Sequence, residues 1–136
     1  MRYFYVFLIV LFGLLTGCSL ERKNPLDPQG NSDIQVPNLV TGIQLFKPQY
    51  SSNKYVRITW DHQDHADGYY VYRALTLNGV YEDLTEGTGI LNSDSLFYVD
   101  YKVKGGNFYF YKLSAFKDYG KRLEGPVSTP KGIAVQ

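Results

Sequence analysis

Cysteine, tryptophan and methionine each occur once in these 136 residues, and histidine occurs twice. One thiol, Cys18, excludes an internal disulfide framework, so the folded part is held by packing alone. No charge of one sign dominates: 14 Lys and Arg face 13 Asp and Glu. Such a surface has no net field to gather nucleic acid or another polyanion. No apolar run reaches the ~20 residues that a membrane-spanning helix needs. Beyond the first segment no helical periodicity and no internal repeat is visible. Aromatics, in contrast, are plentiful, with 13 Tyr and 8 Phe. Such side chains suit pleated, half-buried surfaces, which points to β structure.

The chain opens with Arg2, then an apolar run from Tyr3 to Leu15 broken only by Gly13, then the small residues Thr16 and Gly17. A basic start, a short greasy core and small residues before a cut describe a secretory signal. The next stretch, Leu15-Thr16-Gly17-Cys18, resembles a bacterial lipobox. The resemblance implies that the Cys18 thiol receives a diacylglyceryl group and becomes the first residue of the mature chain. Each buried methylene adds about 0.8 kcal/mol to membrane binding, and two acyl chains are enough for stable anchoring. Without lipidation, Cys18 would be an inert thiol in an ordinary anchor. Ser19 after the cysteine implies sorting to the outer membrane of a bacterial envelope. Residues 1–17 are thus expected to be a signal peptide.

Residues 18–37 carry Pro25, Pro28 and Pro37, few apolar side chains and no period of 2 or 3.6. They read as a flexible tether of roughly 25 Å. The "NPLDP" piece at Asn24–Pro28 is similar to stretches that follow lipoboxes in other envelope lipoproteins.

From Asn38 the pattern changes to short apolar runs between turn residues, which predicts an all-β sandwich or barrel. Seven strands are expected: Leu39–Phe46, Lys54–Trp60, Gly68–Leu75, Val80–Leu84, Leu96–Val99, Phe108–Phe116 and Gly132–Val135. In the second, Val56, Ile58 and Trp60 alternate with Arg57 and Thr59, the period of a strand with one wet face. Turns fall at Asn78-Gly79, Gly87-Thr88-Gly89, Gly105-Gly106 and Tyr119-Gly120, where glycine supplies positive φ.

Two segments carry a family resemblance. "VRITWDHQDHADGYYVYRA", Val56 to Ala74, resembles the second and third strands of a fibronectin type III domain. Trp60 takes the core tryptophan position, and Ala66, Gly68, Tyr69, Val71, Tyr72 and Arg73 follow the A-x-G-Y-x-V-Y-R spacing. "YVDYKVKGGNFYFYKLSAF", Tyr98 to Phe116, resembles the segment with the corner tyrosine, here Tyr109. "EGPVS", Glu124 to Ser128, resembles the approach to the last strand. Gly105 departs from the proline often found there. The resemblance implies an immunoglobulin-like β-sandwich over residues 38–136. Its expected core is Val56, Ile58, Trp60, Tyr69, Val71, Tyr109, Tyr111, Leu113 and Ala115.

No catalytic constellation stands out, so no enzyme and no cofactor are expected. Gly87-Thr88-Gly89 lacks the third glycine and the Lys-Ser/Thr pair of a phosphate loop, and no G-x-S-x-G elbow exists. "DHQDHAD", Asp61 to Asp67, gathers His62 and His65 with three carboxylates. It reads either as a solvated loop or as a metal site short of the usual ligand number; no metal is expected. Lys117, Lys121 and Arg122 make a small basic patch that Asp118 and Glu124 offset. The less ordinary feature is aromatic. In the expected sandwich, alternation places Tyr70, Tyr72, Phe108 and Phe110 on the outer face of one sheet. They either stabilise the sheet as cross-strand pairs or form a contact surface. The functional expectation is a membrane-anchored, non-catalytic module that binds another envelope protein, with carbohydrate binding or adhesion as the alternative. Nucleic acid is not expected as a partner.

Overall fold

A computed structural model describes residues 24–49, 52–92 and 96–136. Leu15, Thr16, Gly17 and Cys18, with the rest of the expected signal segment, lie outside the described residues. Nine strands are present among those described: β1 (Gln44–Phe46), β2 (Val56–Thr59), β3 (Gly68–Ala74), β4 (Glu82–Asp83), β5 (Ile90–Leu91), β6 (Phe97–Asp100), β7 (Phe108–Asp118), β8 (Arg122–Glu124) and β9 (Lys131–Ala134). They form two antiparallel sheets. The smaller has the order β1-β2-β6; in the larger, β4-β3-β7-β8 is joined by β5 beside β3 and β9 beside β7.

The alternation read from the residues becomes the core. Val56 and Ile58 of β2 point inward and are fully buried, while Arg57 is exposed. Tyr69 and Val71 of β3 meet Tyr109, Tyr111, Leu113 and Ala115 of β7, and all nine expected core residues lie in one buried cluster. The Trp60 and Tyr69 rings stand 5.3 Å apart. Aromatic pairs at this separation add about 0.5–1.5 kcal/mol beyond the area they bury. Trp60 Nε1 is buried with no acceptor among the described residues, a cost of about 1–3 kcal/mol that the buried ring offsets. The hydroxyl of Tyr109 accepts the Lys104 N–H at 2.9 Å, which pins the loop entering β7.

The expected strand pattern is modified in four places, one of them the added two-residue β5 beside the start of β3. Leu39–Phe46 shortens to β1, because Gly42 takes φ +66 and the carboxylate of Asp61 occupies the space a side chain would need. The expected Val80–Leu84 strand shrinks to the two residues of β4. The last strand is doubled. β8 and β9 both pair with β7, and Pro126 and Pro130 fall in the interruption between them. Proline cannot donate to a ladder, and such a break blunts an exposed sheet edge. Gly125 N–H to Ala115 O and Ser128 N–H to Leu113 O, each 2.8 Å, hold the interrupted edge against β7.

Within the segment expected as a tether, the last residues pack on the sandwich. Ile34 and Pro37 are buried, and the Gln35 N–H donates to the Tyr119 hydroxyl at 2.9 Å. A side chain on Gly125 would stand 2.5 Å from the Pro37 carbonyl oxygen, so only glycine admits this contact. Among the described residues the first buried side chain is thus Ile34, ahead of Asn38. Before it, the side chains of Asn24, Asp27 and Asn31 each accept the N–H two residues on, at 3.0–3.1 Å. These are Asx turns, in which a short polar side chain stands in for backbone. They supply the local chemistry of the "NPLDP" stretch.

The strands define two ends. β3 runs from Gly68 to Ala74 and β7 returns from Phe108 to Asp118. The N-terminal segment joins at the end carrying Tyr119. The turn at residues 75–81 and the loop at 102–107 lie at the other end. Eleven strand residues at about 3.4 Å each separate the two by about 35 Å.

Candidate interaction surface

The outer face of the larger sheet carries all four aromatics singled out above, as alternation requires. Cross-strand register then separates them. Tyr70 stands opposite Ser114, Tyr72 opposite Lys112 and Phe110 opposite Ala74. The tyrosines and phenylalanines thus form two pairs with Lys112 between them, not one continuous patch. Lys112 Nζ turns to the Tyr81 ring, 4.2 Å from its centroid.

Tyr70 is no longer a surface residue. Its ring lies 4.9 Å from that of Phe116, which is fully buried. The loop between β4 and β5 folds over both. Gly89 lies directly against the Phe116 ring, and Arg122 stands over that ring at 4.3 Å. Arg122 Nη1 donates to Gly87 O at 2.9 Å and to Thr88 O at 2.6 Å, locking the loop down. Tyr72 is half-buried, and its hydroxyl donates to Glu124 Oε1 at 2.7 Å. Burial, followed by the carboxylate of Glu124, pushes the Tyr72 pKa well above the ordinary phenol value. The Ser114 hydroxyl donates to the same Glu124 oxygen at 2.5 Å. This half of the face is a small second core.

Phe108 and Phe110 remain accessible, Phe108 at 47%. Their rings sit 4.9 Å apart and lie against Gly132 of β9, where a side chain would stand 2.5 Å from Phe108. Around this far end cluster further exposed apolar residues that the sequence reading did not single out. Leu75, Leu77 and Val80 occupy the turn between β3 and β4, with Leu75 at 64% and Val80 at 95% exposure. Tyr101 is exposed, and its ring meets that of Tyr55 in a tilted contact, centroids 5.9 Å apart. Scattered surface hydrophobics are ordinary, but several at one end of a small domain are not. The signal in the sequence was the run "ALTLNGV", in which the apolar side chains continue past Ala74 into the turn.

Between that turn and the loop at 102–107 lies an open groove of about 490 Å³, lined by Ala74, Leu75, Val80, Tyr109, Lys102 and Lys104 among others. The guanidinium of Arg73 forms part of its wall. It is bound to Asp100 at 2.8 Å and to Glu82 at 2.9 Å.

The "DHQDHAD" loop lies at the tether end. His62 Nε2 is 3.7 Å from Asp64 Oδ1. Among the described residues no group of three His, Cys, Asp or Glu is placed to hold a metal ion. Asp67 instead joins β3 to the end of β7, accepting from Lys117 Nζ and from the Asp118 N–H, each at 2.8 Å. Burial alone would raise its pKa, but these two donors outweigh it and hold the carboxyl below the ordinary 3.8. Because folding lowers this pKa, the stabilisation is present above the ordinary value and is lost as pH falls through the lowered one. Asp67→Asn is therefore expected to melt below the wild type at neutral pH, with the gap closing in thermal scans taken progressively below pH 3.8.

No protein-family model matches the chain, and no curated protein does. Solved structures do. A Fn3-like protein from Clostridium thermocellum is 25% identical, with a TM-score of 0.60 over 75% of this chain and 96% of that one. A myokine structure aligns at a TM-score of 0.55 and 12% identity, over 73% and 97% of the two chains. The FN1-FN3 domains of chicken CNTN1 align at 0.57 and 17% identity, over 74% of this chain and 31% of that longer one. With the strand order, the core tryptophan and the Tyr109 corner, these likenesses establish an immunoglobulin-like β-sandwich of the fibronectin type III type.

Proposed function

We propose that this protein is a lipid-anchored, non-catalytic module of the bacterial envelope that holds another envelope protein through the far end of its sandwich. The observation that carries the reading is polarity of placement. The N-terminal segment packs at the Tyr119 end, where Val36, Leu39, Leu91 and Phe97 are 40–47% exposed, whereas the most open apolar side chains, Val80 at 95%, Tyr101 at 71% and Leu75 at 64%, lie at the opposite end with Leu77 and Phe108. A chain anchored at Cys18 would thus present its apolar end away from the bilayer. The lipobox-like Leu15-Thr16-Gly17-Cys18 supports the anchor, and Ser19 supports the outer membrane as its site.

The anchor is tested by intact mass and fractionation. The wild-type chain is expected in the membrane fraction, cut before Cys18 and heavier by a diacylglyceryl group. Cys18→Ser should lose that mass and leave the cut unmade. An unmodified wild-type cysteine would overturn the anchor.

A second reading, a glycan-binding or adhesive surface, is favoured by the accessible Phe108–Phe110 pair seated on Gly132. Aromatic faces of this kind stack on sugar rings. Saturable binding of a soluble oligosaccharide, lost in Phe108→Ala and retained in Val80→Ser, would select it over protein contact.

A further inference from the structure

We infer that the groove between the β3–β4 turn and the 102–107 loop receives an extended peptide segment of a partner protein, one that sets an acidic side chain beside a bulky apolar one. The inference deepens the proposed binding role and takes its orientation from the anchored reading. Two features of the groove are complementary to that chemistry. Its apolar wall has buried Ala74 at its base and Leu75 and Val80 open above it, Val80 at 95% exposure although a β-branched side chain gains nothing from water. Its opposite rim carries Lys102 and Lys104, both exposed, and neither ammonium has a carboxylate within ion-pair distance among the described residues. The two carboxylates nearby, Glu82 and Asp100, are already taken by Arg73. An unanswered positive rim beside an uncovered apolar wall favours an apolar anchor flanked by negative charge, the usual division between the core and rim of an interface.

A basic, apolar surface also suits an anionic bilayer, but the placement argues against it. The N-terminal segment joins about 35 Å away, at the other end of β7. The groove thus opens at the end opposite to where the segment leading from Cys18 joins the domain.

Cys18 is the only cysteine, so a full-length Cys18→Ser, Asn78→Cys chain carries one environment-sensitive fluorophore at the turn. The chain is kept in dilute detergent micelles, with labelled micelle-bound chain alone as the blank. The probes are octapeptides alternating leucine with glutamate, leucine with lysine, and serine with glutamate. The leucine–glutamate peptide is expected to give a saturable blue shift at least tenfold tighter than either other probe. Val80→Ser should weaken it about tenfold, and Lys102→Glu with Lys104→Glu should transfer preference to the leucine–lysine peptide, all with unchanged melting. Equal binding of the acidic and basic leucine peptides, or none tighter than millimolar, would overturn the inference. So would a blue shift produced without peptide by vesicles of phosphatidylcholine and phosphatidylglycerol. Because the Cys18→Ser chain is used throughout, failure here leaves the mass test of the anchor independent.

Discussion

Asp100→Ala is expected to destabilise the domain by about 3–5 kcal/mol, the cost of breaking a buried ion pair from one side. The carboxylate is only 2% exposed. It accepts from Arg73 Nη1 at 2.8 and 3.1 Å, from the Tyr111 hydroxyl at 2.9 Å and from the Lys102 N–H at 2.9 Å. Alanine would leave the Tyr111 hydroxyl and the Lys102 N–H without this acceptor, and the guanidinium with the largely exposed Glu82 as its remaining carboxylate beside the Lys102 carbonyl at 3.3 Å. The same network shifts the pKa values of its members. Burial and then Asp100 push the Tyr111 phenol far above its ordinary value. Burial would lower the Arg73 pKa, but Asp100 and Glu82 outweigh it and raise it. Arg73→Leu combined with Asp100→Leu should cost clearly less than the two single changes together, because no buried charge is then stranded. Guanidinium unfolding checks both, with the midpoint falling at constant slope. A loss under about 1 kcal/mol for Asp100→Ala would mean that water reaches Arg73 and replaces the carboxylate.

Phe116→Ala should cost a similar amount, about 3–5 kcal/mol, as a fully buried phenylalanine does when a cavity is left behind. The size of the effect is the point, since Phe116 projects from the outer face of β7, opposite Gly68 and Glu124. Its burial is made by Tyr70 on one side, by the loop carrying Gly89 above, and by Arg122 across the ring. Gly68 beneath it has no room for a methyl group, which would stand 2.5 Å from both Ile90 O and the Phe116 ring. Removing the ring should also free the loop, so amide exchange at Gly87, Thr88 and Gly89 is expected to accelerate more than exchange in β2. Arg122→Ala should reproduce the faster exchange at a cost of only about 1 kcal/mol, because it removes the clamp and leaves the ring. A Phe116→Ala chain as stable as the wild type would show that the loop does not cover this face in solution.

These two sites mark how far the residues could be read alone. Val56, Ile58 and Trp60, or Tyr109, Tyr111, Leu113 and Ala115, declare their inward face because pleating sends every second side chain the same way. The four aromatics obey the same parity and do share the outer face. Their neighbours are a different matter. Whether Phe110 lies beside Tyr72 or beside Ala74 depends on the register between β3 and β7, which are joined only through a long intervening stretch. Parity within each strand is silent on that offset. The pairing of Arg73 with Asp100 bridges the two sheets, and no local pattern contains it. β8 was unreadable because Arg122-Leu123-Glu124 is too short and too charged to show a period, and it is a strand only because β7 offers it an edge.

Composition, the solitary Cys18 after its apolar run, the period-2 faces and the glycine turns are local properties, and by themselves they determined the class of fold, its core and the expectation of an anchor. Which outer aromatics are covered, where the N-terminal segment docks, and that Leu75, Val80, Lys102 and Lys104 come to share one groove were decided by tertiary structure. Those outcomes depend on contacts between residues distant in the chain, set by register and loop closure, and a single strand carries no record of its partner.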